Sequence, residues 1–120
     1  MSKMILVVED SPTDLQLVTN VLTSQGYAYV VATDGDEALK KAQQDKPALI
    51  LLDVILPKKN GYQVCRAIKS SPDTRHIKVI VLSGKDQDTD RYWGLKQGAD
   101  EYLTKPFKTD ELLGAIARNM

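Results

Sequence analysis

Five polar residues that could do chemistry together stand at the ends of apolar stretches of this 120-residue chain: Glu9, Asp10, Asp53, Ser83 and Lys105. Asp53 interrupts the apolar run 48–57, where a carboxylate is costly unless its charge is compensated. Three carboxylates held close together repel one another and resist full ionisation without a cation. Oxygen ligands suit a hard ion such as Mg²⁺. A carboxylate supported by a metal and a lysine can act as a nucleophile toward a phosphoryl group.

The elements that must position these residues are short apolar strands that alternate with helical patterns. Strands are predicted over 4–8, 27–32, 48–52, 78–83 and 101–104. Helices are predicted between Pro12 and Gly26, over about 36–44, 61–70 and 88–97, and from Thr109 onward, with Thr109 as a capping residue. This order predicts an α/β fold, an open, doubly wound, five-stranded parallel sheet with five helices. Ligands bind such sheets at the carboxyl ends of the strands, where the polar residues would converge.

Composition limits the alternatives. The length suits one domain over residues 1–120. Lys plus Arg, 16 residues, equals Asp plus Glu, 16 residues, which argues against a nucleic-acid-binding surface as the main function. The apolar runs fall short of the roughly 20 residues that a membrane span needs, so no membrane insertion is expected. Cys65 is the single cysteine, which excludes an internal disulfide and favours a reducing, cytoplasmic setting.

Over its whole length the chain resembles the receiver domain of bacterial two-component response regulators. The resemblance depends on the pair Glu9–Asp10, on Asp53 in "LLDVILP", on Asn60–Gly61, on Ser83 in "VLSG" and on "GADEYLTKPF" at 98–107. It implies a flavodoxin-like sheet with the strand order 2-1-3-4-5. It also implies a phosphoacceptor signalling protein rather than an enzyme.

The resemblance implies specific roles at this edge. A histidine kinase or phosphotransfer domain would phosphorylate Asp53, and Lys105 would contact the phosphoryl group. Asp10 and Asp53 would hold Mg²⁺ with help from Glu9, and the third protein ligand would be the backbone carbonyl of Ile55. The bond between Lys105 and its following proline would be cis.

The resemblance also implies an output mechanism. Ser83 and Tyr102 would rearrange together on phosphorylation, although Tyr102 can also be interpreted as a half-exposed strand aromatic. The switched surface would be formed by the helix at 88–97, the fifth strand and the last helix, and it would bind a downstream protein. The stretch 88–107 is similar to single-domain regulators of type IV pilus and twitching-motility systems. Because the sequence ends at the last helix, action through a binding partner or onward phosphotransfer is expected.

Three alternatives compete with phosphorylation at Asp53. Asp53 could be a structural carboxylate that caps a helix or forms a salt bridge. The chain could be a Mg²⁺-dependent phosphatase with an aspartate nucleophile, but Ile55 stands where such enzymes usually carry a second aspartate. It could also be a degenerate receiver that serves as a scaffold. Finally, the apolar Ile55 and the long Lys85 flank the path of hydrolytic water, which predicts slow self-dephosphorylation.

Overall fold

The computed structural model describes residues 4–84, 92 and 95–120. Its strands are β1 Ile5–Val8, β2 Tyr29–Ala32, β3 Leu49–Asp53, β4 Lys78–Ser83 and β5 Glu101–Thr104. Its helices are α1 Pro12–Ser24, α2 Gly35–Asp45, α3 Gly61–Ser70 and α4 Thr109–Asn119. The strands form one parallel sheet in the order β2-β1-β3-β4-β5, which confirms the predicted topology. These four helices belong to the described residues, and most of the helix predicted at 88–97 lies outside them.

The order of the strands follows their apolar character. All residues of β1 and β3 are buried, and β4 is buried after its first residue. Such strands can stand in the middle of a sheet that is covered on both faces. In contrast, β2 begins with the exposed Tyr29 and has partly buried residues in its centre. It therefore takes an edge position, as its weaker apolar pattern predicts.

Helices cover both faces of the sheet because successive strand residues point to opposite sides. On one face, α2 and α3 bury Ala38, Ala42, Val64, Cys65 and Ile68. On the other face, α1 and α4 bury Val18, Leu22, Leu112, Ala115 and Ile116. The result is two apolar layers with the polar chemistry confined to the sheet's edges.

Three helices begin at the carboxyl edge of the sheet with side-chain caps. The Ser11 hydroxyl accepts the N–H of Asp14 at 3.4 Å in α1. The carboxylate of Asp34 caps α2 in the same way. In α3, the Asn60 side chain accepts the N–H of Gln63, whose own side chain accepts the Asn60 N–H. Positive helix ends therefore surround the edge where the polar residues meet.

The start of α4 corrects one prediction. Thr109 is the first residue of the helix, and Lys108 occupies the capping position. The Lys108 N–H donates to the carboxylate of Glu111 at 2.8 Å. This hydrogen bond from the Lys108 amide to the third residue of the helix is typical of a capping position at Lys108. Thr109 is therefore inside the helix and does not cap it.

Gly61 lets α3 begin directly against the end of β3. Its N–H donates to the Val54 carbonyl at 2.8 Å. A Cβ at this position would lie 2.7 Å from the Cα of Val54 and would overlap the carbonyl oxygen of Asp53. A residue without a side chain is therefore needed next to Asp53.

Candidate functional site

The centre of the site is the ammonium group of Lys105. Its Nζ lies 2.8 Å from Glu9 Oε1, 3.0 Å from Asp14 Oδ2 and 3.1 Å from Asp53 Oδ1. Glu9 directly follows β1, Asp53 ends β3, Lys105 follows β5, and Asp14 stands in the first turn of α1. Four separate elements thus bring one cation and three carboxylates together at the carboxyl edge.

Burial makes this cluster electrostatically unusual. Glu9 is 2% exposed and Asp53 is 8% exposed. Burial raises the pKa of the Glu9 carboxyl, the hydrogen bond from Lys105 opposes this rise, and the charge of Asp53 adds to it. For Lys105, burial acts to lower the pKa, but hydrogen bonds to Glu9 and Asp14 and the charge of Asp53 raise it above its usual value. Lys105 therefore stays charged, and three carboxyl groups share its one ammonium.

The structure brings together some of the predicted residues directly. Glu9, Asp53 and Lys105 are in contact, as predicted from the strand ends. Ser83 is 1% exposed at the end of β4, and its backbone carbonyl accepts the Lys105 N–H at 2.6 Å. The exposed Asp10 follows Glu9. Its role as a metal ligand stays a prediction.

Other predicted positions have different outcomes. Tyr102 is 3% exposed and belongs to the buried apolar cluster on the face of the sheet that α2 and α3 cover, so the interpretation as a half-exposed aromatic is wrong. Its role as a switch stays a prediction. The Ile55 side chain is 71% exposed beside the site, and Lys85 lies outside the described residues. The predicted cis bond between Lys105 and Pro106 is confirmed.

Asp14 is the site residue that the sequence prediction missed. An acidic residue in the first turn of a helix is commonly explained by the helix dipole, and its partner Lys105 lies 91 positions away. A signal was nevertheless present, because α1 starts just after a strand that ends in two carboxylates. An acid in its first turn therefore lies at the same edge as Glu9 and Asp53.

A cleft of about 280 Å³ adjoins the cluster. Its lining combines an ion pair with apolar side chains: Asp14, Leu17, Val18, Lys105, Pro106 and Phe107. Leu17 is 61% exposed at this opening. The polar site is thus bordered by an accessible apolar surface between α1 and the loop after β5.

The donor chemistry at this edge fits a hard divalent cation. Among residues 4–84, 92 and 95–120, no three His, Cys, Asp or Glu side chains are already arranged as a metal site. Mg²⁺ does not require such a cage, since it usually binds one or two carboxylates and keeps several waters. The buried carboxylates of Glu9 and Asp53, which share one ammonium, meet that requirement.

Comparison with known proteins agrees with this geometry. The sequence profile of the response regulator receiver domain matches residues 5–117. Protein PilH of Pseudomonas aeruginosa is 40% identical over 112 residues, which cover 93% of each chain. The alkaline phosphatase synthesis transcriptional regulatory protein PhoP of Bacillus subtilis is 43% identical over 112 residues. The match covers 93% of this chain but only 46% of PhoP.

A solved structure with the same fold holds a metal. It is the receiver domain of the sensor histidine kinase PA1611 from Pseudomonas aeruginosa, with a TM-score of 0.91 and 33% identity. The match covers 99% of this chain and 98% of that one, which has a magnesium ion coordinated in its active-site cleft. In the described part of this chain, no helix is long and apolar enough to cross a membrane.

Proposed function

Since the chain belongs to the receiver-domain family of response regulators, we propose that Asp53 is its phosphoacceptor in a two-component phosphorelay. The observation that carries this assignment is the ion pair between Asp53 Oδ1 and Lys105 Nζ, 3.1 Å long, at the carboxyl end of β3. A purely structural Asp53 would also be expected to form a salt bridge. Two further carboxylates on the same ammonium favour the chemical role, because one acid would suffice to pair the lysine.

The proposed transfer uses residues of this chain in defined ways. An Asp53 oxygen forms a bond to phosphorus while the bond from phosphorus to the donor breaks, and the donor atom keeps the electron pair. The Lys105 ammonium offsets negative charge on the phosphoryl oxygens. The hydroxyl of Ser83, at the end of neighbouring β4, donates a hydrogen bond to one of these oxygens. The donor is a histidine kinase or a phosphotransfer domain.

Magnesium is the proposed cofactor. The proposed ligands are the carboxylates of Asp10 and Asp53, assisted by Glu9, and the backbone carbonyl of Ile55. When bound, Mg²⁺ supplies positive charge that stabilises the phosphoryl oxygens. Support comes from the excess of carboxylates around Lys105 and from the magnesium ion in the related PA1611 receiver domain.

Output is proposed to pass through the neighbouring strands. Ser83 and Tyr102 would move together, which would alter the face made by the segment 88–97, β5 and α4. Tyr102 pairs in register with Val81, two residues before Ser83. The exposed Tyr92 and Leu95 offer apolar contacts on this face for a downstream protein. If phosphorylated Ser83→Ala shows an unchanged amide-exchange response in β5, this coupling is wrong.

Several finer assignments belong to the same proposal. One receiver domain would fill residues 1–120, supported by a single sheet and by the family match over 5–117. A cytoplasmic location stays a prediction from the lone cysteine. The resemblance of 88–107 to type IV pilus regulators suggests a role in surface motility, and loss of twitching in a deletion strain would support it.

We also propose a long-lived phosphoryl group. The apolar side chain at Ile55 gives no hydrogen bond to orient an attacking water, and Lys85 is long enough to shield the phosphoryl group. A tenfold change in rate requires about 1.4 kcal/mol of barrier, so two side chains can set the timescale. The adduct should decay faster in the variant that combines Ile55→Asn with Lys85→Glu. Equal or slower decay there would refute the shielding argument.

The experiment that tests the function is incubation with acetyl phosphate and Mg²⁺, followed by intact-mass measurement. The unaltered protein should gain one phosphoryl group, and Asp53→Asn should gain none. Asp45→Asn is the matched control, because Asp45 is an exposed aspartate at the C-terminal end of α2, away from the carboxyl edge of the sheet. It should be labelled like the unaltered protein.

The same experiment separates the alternatives. Continuous release of phosphate without an accumulated adduct would point to a phosphatase and against the proposal. Absence of both adduct and release would point to a scaffold. Position 55 disfavours the phosphatase, because an isoleucine cannot serve as the general acid that such enzymes usually need.

A further inference from the structure

The hydrogen bonds of Lys105 fully occupy its ammonium group. A lysine ammonium carries three N–H donors and no acceptor. Lys105 uses them on Glu9 at 2.8 Å, Asp14 at 3.0 Å and Asp53 at 3.1 Å. For Lys105 to contact a phosphoryl oxygen on Asp53, an N–H must leave one of these carboxylates.

Burial decides which of the three bonds is the least costly to release. The side chains of Glu9 and Asp53 are 3% and 11% exposed, whereas that of Asp14 is 39% exposed. A buried carboxylate that loses its donor carries a large desolvation penalty. The carboxylate of Asp14 can exchange Lys105 for water at little cost. Asp14 is therefore the partner that Lys105 can leave.

We propose that Asp14 is a positioning residue for phosphoryl transfer. It holds the third N–H of Lys105 in the unphosphorylated protein and releases it when a phosphoryl group arrives. This inference rests on the proposed function of Asp53 and assigns the neighbouring carboxylate a role in it. Asp14 touches neither phosphorus nor the attacking oxygen, and it acts through Lys105.

Two physical effects follow from the position of Asp14. Its competition for Lys105 must be overcome before the ammonium can turn to the donor. Its negative charge also repels an anionic phosphodonor that approaches the same edge. Both effects act before the chemical step, so they raise the donor concentration needed for half-maximal labelling. The maximal rate, which depends on Asp53 and a fully engaged Lys105, should change little.

The test measures initial rates of adduct formation by intact mass over a range of acetyl phosphate concentrations, with saturating Mg²⁺. In this reaction an Asp53 oxygen bonds to phosphorus, the bond from phosphorus to the acetyl oxygen breaks, and acetate leaves with the electron pair. In Asp14→Asn the half-saturating concentration should fall about threefold, the scale of a weak ion pair whose carboxylate is open to water. Asp14→Glu, which restores the charge, should return it toward the original value.

A matched control separates this effect from a general loss of charge. Asp36, like Asp14, is an acid in the first turn of a helix; it is exposed at the start of α2 and pairs with Lys59 at 3.2 Å. Asp36→Asn removes the same charge and the same helix-dipole contribution, but it does not touch Lys105. Its half-saturating concentration should equal that of the unaltered protein.

The outcomes distinguish this inference from the proposed function. If the unaltered protein forms no adduct, the proposed function fails and the inference falls with it. If it forms an adduct with the same half-saturating concentration in Asp14→Asn, or if Asp36→Asn shifts equally, the positioning role is refuted while Asp53 stands. Urea unfolding checks that the variants are equally folded. If Asp14→Asn is less stable than Asp36→Asn, the same rates are measured for Asp14→Ser, and its half-saturating concentration decides whether Asp14 has the positioning role.

Discussion

Two lysines of this molecule lie at opposite edges of the sheet and are equally buried. The side chains of Lys105, at the carboxyl edge, and Lys69, at the amino edge, are both 17% exposed. Lys105 faces three carboxylates. Lys69, in the last turn of α3, pairs with Asp100 at 2.9 Å and donates to the Ile77 carbonyl at 2.7 Å.

The partners of the two lysines differ in charge. Asp100 is the carboxylate of the Lys69 cluster; it also accepts the Val79 N–H at 2.8 Å and lies 3.8 Å from Lys78. Its charge is therefore fully compensated. The carboxylates around Lys105 outnumber their lysine. The same side-chain chemistry thus produces a balanced ion pair that ties α3 to the strands, and an unbalanced cluster that can receive a cation or a phosphoryl group.

The first and largest predicted difference concerns metal binding. Asp10→Asn should weaken Mg²⁺ binding by about 100-fold, since even supporting residues of metal sites are worth 10- to 100-fold, and should block phosphorylation. Asp100→Asn should bind Mg²⁺ unchanged, because its edge has no excess of carboxylates. Calorimetric titration of both variants measures this. Unchanged affinity in Asp10→Asn would remove Asp10 from the site.

The second prediction concerns stability at the amino edge. Asp100→Asn should lower the free energy of unfolding by about 1–2 kcal/mol, because hydrogen bonds from Lys69 and the Val79 amide lose their charged acceptor. Adduct formation at Asp53 should be preserved. Urea unfolding and intact mass measure the two quantities. A variant as stable as the parent would show that the Lys69 pair contributes nothing to the fold.

The third prediction has the opposite sign at the carboxyl edge. Asp53→Asn should raise the free energy of unfolding by about 1 kcal/mol in a metal-chelating buffer, because it removes the repulsion between Asp53 and the buried Glu9. The amide oxygen can still accept the Lys105 hydrogen bond. Urea unfolding beside Asp100→Asn makes the comparison direct. Destabilisation by both variants would mean that the two clusters are both structural.

The smallest predicted effect is a pH dependence. Burial acts to raise the pKa of Asp100, but hydrogen bonds from Lys69 and the Val79 amide lower it below the ordinary 3.8. A lowered pKa in the folded state stabilises the fold above the ordinary value, and this stability disappears as pH falls through the lower value. The stability difference between the parent and Asp100→Asn should therefore be constant down to about pH 4 and then shrink. A difference that persists in stronger acid would contradict this.

Much of the site was predictable because the sequence shows where each strand ends. Apolar runs followed by Glu9, Asp53 or Lys105 place those residues at one edge of a parallel sheet, and the contacts confirm this. The resemblance to receiver domains added the strand order, which the structure confirms. Tyr102 illustrates the limit, since the residue pattern alone left its burial open.

The remaining features depend on side-chain contacts between distant elements. The Asp14–Lys105 and Lys69–Asp100 pairs span 91 and 31 positions, and local patterns do not reveal which charged residues of a helix end meet a distant loop. The capping position of α4 was missed for a local reason. Thr109 is the usual type of capping residue, but the Glu111 carboxylate satisfies the amide one residue earlier.

The most direct test of the central claim is chemical location of the phosphoryl group. The protein is labelled with acetyl phosphate and Mg²⁺, reduced with borohydride, which converts a phosphorylated aspartate into homoserine, and then digested and sequenced by mass spectrometry. Homoserine is expected at position 53 in both the unaltered protein and Asp100→Asn. Homoserine at position 10 or 14, with unmodified Asp53, would contradict it.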